Sequence, residues 1–169
     1  MKNKKVLVSI ILFLIIVILL GPQSVTANAI KTPFTGTETP CGTLDPGTWV
    51  DLPNGGRHLR GMISTSTMDS TDDRMSGTAL IYMNANLDPS GTGPFWGNFT
   101  ITVQPSTVCP DGGSWEGAYA GRISYSEIYG YYHAVIQGVS GCVEGMKASI
   151  DADVLLGTYG GTILDPHGE

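Results

Sequence analysis

The stretch 112–145 constrains the fold most, because it holds two runs of two-residue periodicity joined by a short turn and punctuated by glycine. Trp115, Gly117, Tyr119, Gly121 and Ile123 alternate with Ser114, Glu116, Ala118, Ala120 and Arg122. That is the period of a strand with one aromatic-and-small face and one more polar face. Residues 129–139 are dense in aromatic and β-branched side chains, which suit a pleated surface. The two runs predict an antiparallel pair. Glycines inside strands weaken a flat sheet but permit bending and close approach, so Gly117, Gly121, Gly130 and Gly138 predict a strongly curved one.

The same grammar recurs along the chain. Residues 48–52, 57–67, 76–87, 95–104, 145–155 and 160–164 read as further strands, separated by turn chemistry such as Pro53-Asn54-Gly55-Gly56. Beyond residue 29 no stretch sustains a helical period. About eight strands with short neighbour-to-neighbour turns predict a single all-β domain over residues 44–169. The expected form is an eight-stranded antiparallel up-and-down β-barrel, with a two-layer sandwich as the alternative. Closure removes exposed strand edges.

Ahead of the domain, Lys2, Lys4 and Lys5 precede a nearly unbroken apolar run over 6–20, a Gly21-Pro22 break and Ala27-Asn28-Ala29. This is the layout of a secretory signal peptide over 1–29, with an uncleaved anchor as its competitor. Residues 30–43, rich in Thr and Pro, read as an extended leader. Removing the signal leaves six Lys and Arg against 15 Asp and Glu, a net charge of −9. Such a surface repels phosphate backbones and anionic headgroups, so neither nucleic acid nor, after cleavage, membrane is expected as a partner. Cys41, Cys109 and Cys142 would meet an oxidising compartment. Cys109 with Cys142, Cys41 with either, or three free thiols all fit their spacing. No cysteine and histidine spacing suggests a metal, and no cofactor is expected.

Several segments occur in a fixed order: Arg60-Gly61, Asp72-Asp73-Arg74-Met75-Ser76-Gly77, Phe95-Trp96-Gly97, Gly113-Ser114-Trp115-Glu116-Gly117, and Gly138-Val139-Ser140-Gly141-Cys142-Val143-Glu144-Gly145-Met146-Lys147. With these the chain resembles, over about residues 45–165, a group of secreted bacterial proteins. Those in turn resemble the allene oxide cyclase-like barrel, which is related to plant dirigent proteins. The resemblance implies a barrel with an apolar cavity that steers cyclisation or coupling of a reactive hydrophobic intermediate, often in a homo-oligomer. It brings no catalytic residue, since no motif of the plant enzymes recurs here position by position.

The residues expected to line the interior are Ile81, Met83, Phe99, Ile101, Trp115, Tyr119 and Ile123, with Gly97, Gly117, Gly121, Ala79 and Ala85 leaving volume between them. A small hydrophobic molecule is the expected ligand. A structural or interaction barrel with a filled core is the alternative. The sequence names no catalytic residue: Gly112-Gly113-Ser114-Trp115-Glu116 lacks the second glycine of a nucleophile elbow. His133, grouped with Tyr131 and Gln137, would be a general base only if that face points inward. Glu116 with Arg122 reads as an exterior cross-strand ion pair, and Asp151 with Asp153 as a solvated face. Asp69, Asp72 and Asp73 lack the pattern of a calcium loop. Asn98-Phe99-Thr100 is a glycosylation sequon whose use depends on the host.

Overall fold

The computed structural model describes residues 29–166 and 168; the expected signal segment lies, but for Ala29, outside them. Nine strands follow in chain order: β1 (Ile30–Asp45), β2 (Thr48–Asp51), β3 (Arg57–Ser70), β4 (Gly77–Leu87), β5 (Thr92–Val103), β6 (Gly113–Ser124), β7 (Tyr129–Gly141), β8 (Lys147–Asp153) and β9 (Thr158–Asp165). From β3 to β9 each strand pairs antiparallel with the next, and β1 pairs with both β9 and β3. The sheet therefore closes on itself in a ring.

Two expectations about the strands need correction. Residues 30–43 are not a leader; they form most of β1, the strand that closes the ring. Residues 48–51, read as the first ring strand, form β2, which pairs only with residues 57–60 of β3. The expected number of ring strands is recovered because one error offsets the other. The composition of β1 hides it: Pro33, Pro40 and five threonines present little apolar alternation. Proline is tolerated in strands mainly at edges and bulges, and β1 shifts register against β3 between Pro40 and Gly42. β1 also changes partner, running along β9 over residues 30–37 and along β3 over residues 36–45.

The inward faces are those the alternation marks, with Phe99, Ile101, Trp115, Ile136, Ile150 and Ile163 among the buried side chains. Of the two roles expected of the interior glycines, close approach of neighbouring strands holds and added interior volume does not. A Cβ at Gly97, Gly117 or Gly121 would strike the backbone carbonyl oxygen of Tyr82, Val135 or Tyr131 respectively. These glycines let adjacent strands come close, and they do not line empty space. Tyr119, opposite Gly97, lays its ring there and donates its hydroxyl to the Tyr82 carbonyl at 3.2 Å.

One end of the ring is solid. The link between β3 and β4 forms a single 3₁₀ turn (Asp73–Met75) capped by Asp72, whose Oδ1 accepts from the Arg74 amide. Met75 is fully buried, and its carbonyl accepts from the Tyr159 hydroxyl at 3.1 Å. The Trp115 indole donates to the Arg74 carbonyl at 2.7 Å. The Arg74 guanidinium grips Asp72 at 2.8 Å and Asp165 at 3.6 Å, and this bonding holds the Asp72 carboxyl below the usual carboxylate range. A disulfide between Cys109 and Cys142 ties the β5–β6 loop to the end of β7 over the same end, leaving Cys41 as an exposed thiol.

Candidate functional site: an apolar recess at the open end

The opposite end of the ring holds a recess of about 400 Å³. Its depth follows from the strands that extend past the short β8–β9 hairpin: the second half of β1, the start of β3, the end of β4 and the β5–β6–β7 meander. Leu59, Met62, Ala79, Ile81, Met83 and Ala85 form one wall. The facing wall is aromatic. Phe95 and Phe99 stand 5.8 and 6.0 Å from Tyr119, and Tyr119 stands 5.4 Å from Tyr132, ring centre to ring centre. Tilted pairs at such separations are favourable aromatic geometry and hold the wall rigid.

One charged side chain enters this lining. Glu38 points inward from β1, where its backbone amide donates to the Gly157 carbonyl at 2.7 Å. Its Oε2 accepts from the Tyr132 hydroxyl at 3.2 Å. Burial raises the Tyr132 and Tyr119 phenols above the ordinary tyrosine range, and the Glu38 charge pushes both further. Burial likewise carries Tyr159 up to about 12. All three therefore stay protonated at neutral pH and offer hydroxyl hydrogens rather than phenolate oxygens.

Of the seven side chains expected inside, Ile81, Met83, Phe99, Tyr119 and Ile123 line the recess. Ile101 and Trp115 also point inward but are fully buried in the solid end and touch no open volume. Ala79 and Ala85 contribute to the lining, whereas Gly97, Gly117 and Gly121 do not. Sequence reasoning missed Glu38, because it sits in the supposed leader, and Tyr132, because the polar candidates of β7, Tyr131, His133 and Gln137, stand on the opposite face of that strand. The spacing Tyr132-Ala134-Ile136-Gly138 carries the same large-and-small alternation as β6 and was the available signal.

The polar candidates all fall outside the recess. His133 faces outward, about half exposed, with Nδ1 2.8 Å from Oδ1 of Asp151, so the inward orientation that a general base required is absent. Asp151 is exposed, and Asp153 accepts backbone amides of Leu155 and Leu156. Glu116 and Arg122 are exterior but do not pair as expected: they lie toward opposite ends of β6, and Arg122 donates to the Tyr129 hydroxyl at 3.3 Å. Asn98 is exposed on the outer face of β5. Asp69, Tyr131, His133 and Asp151 border a wide outer depression of about 990 Å³ that opens to solvent and encloses nothing. Among the described residues no cluster of His, Cys, Asp and Glu has a metal-binding arrangement.

Compared with family models, with curated proteins and with solved structures, the chain matches none. Its fold and recess therefore define the class: a closed antiparallel β-ring, solid at one end and hollow at the other.

Proposed function

We propose that this is a secreted binder of a small hydrophobic molecule, held in the open end of an eight-stranded barrel of the allene oxide cyclase-like kind. The observation that carries the reading is the recess itself. Its volume falls at the lower end of the roughly 300–1,000 Å³ of small-molecule sites, and its lining has their composition of apolar and aromatic walls with few polar groups. The lysine-led apolar start of the chain supports export. If the bound molecule is reactive, its cyclisation or isomerisation would be steered by the aromatic wall through confinement and exclusion of water.

The test uses a neutral fluorescent probe, N-phenyl-1-naphthylamine, which brightens in apolar sites. The wild-type protein is expected to take up one equivalent with saturation. Ile81→Trp fills the recess from the middle of β4 and is expected to weaken uptake roughly tenfold or more, since tryptophan takes the volume a ligand would occupy. Equal uptake by the two proteins, with circular dichroism unchanged, would count against the site.

A second reading, an interaction domain, is favoured by the rim. Leu44, Trp49, Tyr125, Ile128, Leu155 and Leu156 are exposed on the segments that border the opening. Ile128 holds a left-handed backbone (φ 54°), which a β-branched residue adopts at a cost of about 1–2 kcal/mol. An apolar rim held in such a strained turn suits contact with another surface, a second copy of the chain included.

A further inference from the structure

We infer that the recess selects by charge, accepting an apolar molecule with a cationic head, an amine or quaternary ammonium, and turning away fatty carboxylates. The inference rests on the ligand-binding reading above and names the ligand class for that site. Among the described residues lining the recess, Glu38 is the one acidic or basic side chain; no Lys, Arg or His contributes to the wall. The guanidinium groups of the neighbouring β3 are engaged elsewhere. Arg57 pairs with Asp51 and lies over Trp49, while Arg60 donates to the carbonyls of Leu59 and Ala85 and to Asn86. A ligand carboxylate entering here would find no cation, only a second carboxylate in surroundings of low dielectric, which disfavours both charges.

A cationic head finds three things together. The first is the Glu38 carboxylate, which can accept several hydrogen bonds and spends one on Tyr132. The second is the Tyr132 hydroxyl, which stays protonated and steadies that carboxylate. The third is the aromatic wall of Phe95, Phe99, Tyr119 and Tyr132, whose ring faces attract cations in a desolvated site. The alkyl body then lies against Met62, Ile81 and Met83. The excess of acidic residues over the rest of the chain adds a field of the same sign at longer range.

Four probes of one chain length separate the contributions: decylamine, decyltrimethylammonium, decanol and decanoate. Each displaces N-phenyl-1-naphthylamine at neutral pH, in moderate salt and below micelle-forming concentrations. The wild type is expected to bind both cations roughly tenfold or more tighter than decanol, with decanoate weakest. Glu38→Gln keeps the size of the side chain and its hydrogen bond from Tyr132. It is expected to bring the cations within about threefold of decanol while decanol itself changes by less than about threefold. Decanoate binding as tightly as decylamine would overturn the inference, and so would a cation preference that persists undiminished in Glu38→Gln, which would assign it to the aromatic wall or the surface field and not to the carboxylate. If decanol and the dye bind but charge makes no difference, the recess stands and its selectivity falls. If no probe binds, both fall.

Discussion

Replacing Trp115 by alanine is expected to destabilise the protein by about 3–5 kcal/mol, the largest single-residue effect in the molecule. The indole is fully buried in the solid end and takes part in its closure through the bond to the Arg74 carbonyl at 2.7 Å. Alanine removes a large apolar side chain, leaves a cavity that the ring of strands cannot collapse into, and orphans a buried acceptor. On β7, Gly138 stands opposite Trp115, and a Cβ there would strike the Val143 carbonyl, so the surroundings have little freedom to move inward. Trp115→Phe keeps most of the packing and loses the donor, and is expected to cost about 1–3 kcal/mol. Guanidinium unfolding gives both numbers from the midpoint and slope. A Trp115→Ala protein within about 1 kcal/mol of wild type would mean that the end is not solid.

Removing the disulfide is the second large effect. Cys109 and Cys142 are 33 residues apart, and the span between them contains the whole β6–β7 hairpin. Opening a loop of that length is expected to lower stability by roughly 3–4 kcal/mol through the entropy of the unfolded chain. For a domain of this size that amounts to a fall in Tm of about 10 °C. The clean experiment compares oxidised and reduced protein in a Cys41→Ser background, so that the exposed Cys41 thiol cannot exchange with the pair. A Tm unchanged by reduction would mean the bond does not form or does not constrain the hairpin.

Much of this architecture is legible in the residues because the period of a strand is a property of backbone geometry. From β3 to β9 strand-forming runs and the turns between them mark the strands and their order, and alternation marks the inward face of β4, β5, β6 and β8. Depth is another matter. Alternation says that Ile101, Trp115, Phe99 and Tyr119 share a side, but not that two of them lie in a packed floor and two beside open space. That depends on where the chain folds a 3₁₀ turn into one end, and Asp72-Asp73-Arg74-Met75 reads simply as an acidic loop until its carbonyls find Trp115 and Tyr159.

The closing strand was illegible for a compositional reason. β1 carries threonine, proline and glycine where a strand usually shows Val or Ile, and its inward positions are Phe34, Gly36 and Glu38. Its place is fixed by two partners distant in sequence, β9 and β3, and no local pattern reports such pairing. The same blind spot concealed the charged group of the recess, since Glu38 acquires its meaning from Tyr132, 94 residues away. The strand glycines are legible as points of close approach, since a Cβ at Gly117, Gly121 or Gly138 would strike a carbonyl of a neighbouring segment. As makers of empty space they were misread, because the volume they vacate is taken by the backbone of the next strand.

The central claim is that one half of the interior is open to an apolar guest and the other half is closed. Methyl-resolved NMR tests it most directly, on protein labelled at the isoleucine and methionine methyls and titrated with the neutral dye. The account predicts saturable shifts at Met62, Ile81, Met83 and Ile123, with Met75, Ile101, Ile150 and Ile163 unmoved. Shifts spread evenly over both sets, or confined to the second, would contradict it.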